Sequence, residues 1–313
     1  MTKETEEKNS ATSPYACNPV LAILRAADQD SERANRYELP EEVSGACEDP
    51  AVTSFSALTI AGNASTKLKR LSDGKSLKLI DGGVSHSMLQ RLLERASSEW
   101  NEITGHECPV TMDDLTCQNQ TAAAIVCCSA SWRTGWKKKK AKFMGKTVWN
   151  GTSLQARAFE TSSGMAAFVA PLNDHTYLVV IENTESELGN AISIAGYGRE
   201  REVIIPSFCI EAKNDFWSRY PEYFKRDCLK FSEDGPLSRL ASFKENIFFS
   251  LNEKGVFGVS VVTMKTACAG IFIPQEPSDD AIFIDEPFRA FVVSKLVDGT
   301  DAVIFDVVVN TVK

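Results

Sequence analysis

The chain has 313 residues, 43% of them hydrophobic and 24% charged, which suits a folded globular protein and excludes a disordered or fibrous one. Its net charge of −8 argues against DNA or RNA as the main partner, and no stretch reaches the roughly 18 apolar residues of a membrane span. Its nine cysteines include no CxxC pair; this suits neither a zinc site nor an obvious disulfide framework, and reduced, mostly buried thiols are expected.

Residues 1–12 are polar and read as a disordered tail; with no apolar run in MTKETEEKNS they do not read as a signal peptide, which points to the cytoplasm. Ser13-Pro14 precedes a helical stretch over Asn18–Ala27, with apolar Val20, Leu21, Ile23 and Leu24. Residues 84–104 carry Val84, Met88, Leu89, Leu92, Leu93, Ala96 and Trp100 at spacings of three and four, which predicts an amphipathic helix. Ala122–Ser131 is apolar and small, as in a strand buried on both faces. Lys137–Lys140 reads as a solvated surface turn rather than a polyanion site. Further strands are predicted over Met165–Ala170, Thr176–Ile181, Glu202–Ile205, Ile247–Leu251, Phe288–Lys295 and Ala302–Val309. Helices early and strands late make an α+β chain rather than a βαβ repeat. No linker-like stretch divides it, so residues 13–313 read as one domain.

Catalytic chemistry finds little support. His86, His106 and His175 are the three histidines, and each sits at a helix start or turn signal. A Ser-His-Asp or Cys-His centre needs one beside a nucleophile. No GxSxG, HExxH or GxxxxGK[ST] motif is present. No catalytic residue, metal ligand or cofactor is assigned, and the chain reads as a non-enzyme.

Several segments resemble, in order, the motifs of the serpin family. Ser13-Pro14-Tyr15-Ala16 and the helix after it resemble the family's SPxS helix, and Trp100–Thr104 its helix ending in Trp and Thr. Ala124–Cys128 leading to Trp136 resembles the buried strand ending NAxYFKGxW. Val203–Phe208 resembles vxxPkF, and Phe249–Gly255 the strand entering the loop hinge. Phe283–Phe288 resembles FxADxPF, and Val303–Asn310 resembles LFxGxVxN. The family's first helix is missing or very short, so the chain reads as a divergent, N-terminally shortened member.

The resemblance implies N-terminal helices around a large central sheet, two smaller sheets, and an exposed reactive-centre loop over residues 255–287. In inhibitory members a protease cuts that loop, which then inserts as a new central strand. It implies a serine or cysteine protease as partner, no cofactor, a monomer, and an extracellular setting that conflicts with the missing signal. The hinge is expected at Glu253, Gly255, Val256, Gly258, Ser260 and Val262. The last four alternate as the inward set, all small, while Phe257, Val259 and Val261 point outward. The reactive bond falls at Ala269–Gly270 by family spacing, or at Lys265–Thr266 because the loop is lengthened. The polar cluster beneath the opening sheet, with the sheet's top, maps to Ser13, Pro14, Cys128, Trp136 and Glu245. Glu245 stands where the family keeps a His, so a buried carboxylate there needs a partner or a raised pKa. These departures keep a non-inhibitory binding, carrier or chaperone role open beside inhibition.

Overall fold

The computed structural model describes residues 9–60, 63–72, 77–81, 120–133, 137–143, 146–160, 166–267 and 288–310, with Arg91, Glu94, Ser97, Ser98 and Asn101 as single helical positions. In chain order the elements are β1 (Ser10–Thr12), α1 (Pro14–Ala27), α2 (Ser31–Arg36), β2 (Val52–Ile60), α3 (Thr66–Ser72), β3 (Leu77–Asp81), β4 (Thr121–Ser131), β5 (Lys137–Phe143), β6 (Lys146–Glu160), β7 (Ala166–Pro171), β8 (Thr176–Ile181), α4 (Leu188–Gly196), β9 (Arg199–Pro206), β10 (Phe208–Asp215), α5 (Pro221–Lys225), β11 (Arg239–Asn252), β12 (Gly255–Ala267), β13 (Phe288–Lys295) and β14 (Asp301–Val309).

Helix α1 begins four residues before the predicted start. Ser13 caps it by accepting a hydrogen bond from the Ala16 amide at 3.1 Å, and Pro14 occupies the first turn, where no N–H is needed. Val20, Ile23, Leu24 and Ala27 line one buried face at helical spacing. That face meets β2, β4 and β12 on one side and β14 on the other. Just past α1, the buried Asp28 carboxylate pairs with Arg33 and accepts the Tyr223 hydroxyl at 2.6 Å, tying α1, α2 and α5 together.

Two sheets sandwich this region. One has six strands in the order β10-β11-β12-β4-β2-β3. The other has eight, running β1-β14-β13-β8-β7-β6-β5, with β9 also on β6. The 15-residue β6 joins what the resemblance treats as two smaller sheets: its residues 146–153 pair with β5, 151–158 with β9, and 157–160 with β7. A continuous apolar core fills the space between, including Leu24, Phe249, Val262 and Phe305.

Three expectations change. The disordered tail does not extend to residue 12, because Ser10–Thr12 pairs with Asp306–Val308 of β14. Lys137–Lys140 is not a turn but the start of strand β5, paired with β6. Finally, Gly255–Ala267, the first part of the expected exposed loop, is a strand in the middle of the six-stranded sheet. Of the predicted 84–104 helix, the described positions are helical and Arg91, Glu94, Ser98 and Asn101 are exposed; its apolar face lies outside the described residues.

Candidate functional site at the hinge strand

Strand β12 is paired along both edges. It runs antiparallel to β11 from Asn252↔Gly255 to Arg239↔Ala267, and antiparallel to β4 from Gly255↔Ser131 to Lys265↔Thr121. A run of small and β-branched residues, GVFGVSVV, suits a strand buried on both faces. Val256, Gly258, Ser260, Val262 and Met264 alternate toward the core. On the opposite face Val259 and Val261 are also buried, and Phe257 is half-buried between its partners Ser250 and Ser129. Phe257 is therefore not a solvent-exposed aromatic on a loose segment.

The β11–β12 connection is a tight turn over Glu253-Lys254, with the Lys254 amide donating to Asn252 Oδ1 at 2.8 Å. Gly255 then adopts φ +150°, and a Cβ there would lie 2.1 Å from the Ala130 carbonyl oxygen. Only glycine lets the chain double back so close to the end of β4. Trp132, just past β4, donates its indole N–H to the Asn252 carbonyl at 2.9 Å. The family resemblance singles out Trp136, which lies outside the described residues; it is Trp132 that pins the turn.

Beneath β12 lies a buried carboxylate. The inward row of β11 is Phe243, Glu245, Ile247, Phe249 and Leu251, and Glu245 is fully buried within it. Its Oε1 accepts the Ser13 amide at 2.8 Å and the Ser260 hydroxyl at 2.7 Å. Its Oε2 accepts the Thr12 hydroxyl at 3.1 Å and the Asn214 amide group at 2.8 Å. Burial pushes the Glu245 carboxyl above its usual range, and the four donors hold it back in part. The expected need for partners or a raised pKa is met by both at once. Ser13 also donates to the Ile304 carbonyl at 2.7 Å, so one residue links α1, β11 and β14.

Of the residues singled out from the sequence, Ser13, Glu245 and Ser260 come together directly. Pro14 sits beside them in the helix start. Cys128 instead pairs across from Gly258 and Val52, and burial raises its thiol to about 12, leaving it an inert core group. Glu253 lies in the turn. Lys265 and Thr266 lie within β12, where the Thr266 amide donates to the Gln120 carbonyl at 3.1 Å, so that bond is not presented to a protease in this conformation. Ala269 and Gly270 lie outside the described residues. Sequence reasoning missed Thr12 and Asn214. Asn214 had a readable signal: it continues the inward alternation Phe208, Ile210, Ala212, a polar side chain at a core position.

No family sequence model and no curated protein matches this chain. Solved structures do. The chain is similar to a loop C-sheet serpin polymer at TM-score 0.67 and 14% identity, over 98% of this chain and 91% of that one. It is similar to Tengpin, a thermophilic serpin in the latent state, at TM-score 0.65 and 14% identity, over 99% and 93%. It is also similar to the myxomaviral serine protease inhibitor 1, at TM-score 0.59 and 15% identity, over 83% and 96%. The chain has the serpin fold.

Proposed function

We propose that this chain is an endopeptidase inhibitor that works by inserting its own loop as strand β12. The observation that carries this reading is the fit of β12 to its slot. Gly258 leaves room for the Phe305 ring, Ser260 meets the Glu245 carboxylate, and Val256, Val262 and Met264 fill the apolar core. A segment that served only as a solvent-exposed tether would have no need of that alternation. Insertion up to Ala267 also favours Ala269–Gly270 as the reactive bond, because a cut at Lys265–Thr266 would sever the strand itself. Alanine before the bond suits an elastase-like pocket.

A second reading is favoured by chain length. Phe288 packs edge-on against Phe208, which pairs with Leu251 beside Val256, so β13 starts near the Gly255 end of β12. The thirteen-residue β12 is about 40 Å long. The 20 residues between Ala267 and Phe288 reach about 70 Å when extended. The uncut chain can thus hold β12 in the sheet, as a non-inhibitory binding, carrier or chaperone protein would.

Incubation with elastase-like and trypsin-like serine proteases separates the two readings. A covalent complex that survives SDS, with cleavage at Ala269–Gly270, is expected of the inhibitor. Cleavage without a complex and without any gain in heat stability would sink inhibition and leave the second reading.

A further inference from the structure

We propose that the cleft between α1, α2 and α3 binds a small sugar phosphate, with Lys67 and Arg70 holding the phosphate. The proposal is independent of the reading of β12. The cleft has a volume of about 370 Å³, within the range of small-molecule sites. Its charged lining comes from separate elements. Lys67 and Arg70 belong to α3, Arg25 to the last turn of α1, and Glu41 and Glu42 to the segment after α2.

The sequence sets the two α3 cations side by side. They are three residues apart, so they share one face of the helix with their Cβ atoms about 5–6 Å apart. Leu68 and Leu71 anchor the helix in the core and leave both cations exposed. Like charges at this spacing repel. Among the described residues neither cation has an ion-pair or hydrogen-bond partner through its side chain. Arg25 differs: it donates to the Leu39 carbonyl at 2.9 Å, to Asn35 Oδ1 at 2.8 Å and to Glu41 Oε1 at 2.6 Å. That pairing neutralises Glu41 and leaves the α3 pair to take an anion. A phosphate group gives each cation a charge-assisted hydrogen bond and removes their repulsion.

The rest of the lining decides what else the ligand carries. Glu41 commits Oε1 to Arg25, so Oε2 is left to accept from another donor. The Ser31 hydroxyl also lines the cleft. A bare anion has nothing to offer these groups, and a long polyanion would meet two carboxylates. Sugar hydroxyls donate to them, while Ala26 and Leu71 give apolar surface to the ring carbons.

Calorimetric titration of the full chain with glucose 6-phosphate, inorganic phosphate and glucose tests this. Saturable binding is expected for glucose 6-phosphate, binding about tenfold weaker for inorganic phosphate, and none for glucose. Lys67→Gln and Arg70→Gln should each weaken sugar-phosphate binding about tenfold. Both side chains are exposed, so an unchanged melting temperature marks the fold as intact. Lys69→Gln, on the same helix but outside the lining, should leave the affinity unaltered. No binding at about 10 mM sugar phosphate would overturn the site. So would equal weakening by Lys69→Gln, the mark of a diffuse field. Inorganic phosphate bound as tightly as glucose 6-phosphate would overturn the ligand class.

Discussion

Replacing Glu245 with alanine is expected to cost about 3–5 kcal/mol of stability, as several buried neutral donors lose their acceptor at about 1–3 kcal/mol each. The loss is large because the carboxylate is the common acceptor for Thr12, Ser13, Asn214 and Ser260, and alanine leaves those donors without it in a dry site. Against a total of about 5–15 kcal/mol, this lowers the melting temperature by about 5–8 °C. Calorimetry checks it. The pH dependence has a definite sign. The folded carboxyl sits above its unfolded value near 4.5, chiefly through burial. Its favourable contribution is complete below the unfolded pKa and is lost as pH rises through the raised folded one. The wild type therefore loses stability relative to Glu245→Gln across that window and runs parallel to it above.

Gly258→Val is expected to expel β12 from the sheet. A Cβ at residue 258 would lie 2.7 and 2.8 Å from Cε2 and Cζ of Phe305. Phe305 is fully buried and packs on Phe249 with ring centroids 5.7 Å apart, so it has nowhere to yield. Overpacking of this kind costs about 1–3 kcal/mol or more, and here the whole cost falls on the inserted state. Limited proteolysis should then cut within residues 255–267, which pairing shields in the wild type. If cleavage is unchanged, the slot is more tolerant than its packing indicates.

How much of this was legible depends on what each residue reports. Strands β8 and β13 match their predicted bounds, because β-branched runs between turn residues leave few alternatives. Strand β5 was hidden by its lysines: a lysine run carries no apolar alternation, so its composition imitates a turn. Strand β12 was in plain view as an apolar, β-branched run bounded by glycine. Family resemblance led to an exposed loop there, although its residues are those of a strand buried on both faces. The position of Glu245 in an inward row announced an unusual buried charge. Its partners came from residues 12, 13, 214 and 260, separations that no local pattern encodes.

The central claim is that Gly255–Ala267 fits a slot in the middle of the sheet, between β11 and β4. Val259 lies directly across from the native Cys127 of β4, at a separation a disulfide can span. In a Val259→Cys variant, mild oxidation followed by peptide mapping should yield a 127–259 disulfide in protein cut at the loop, and in uncut protein as well under the second reading. Failure to form it in the loop-cut protein, with residue 259 instead open to a thiol reagent, would contradict the account.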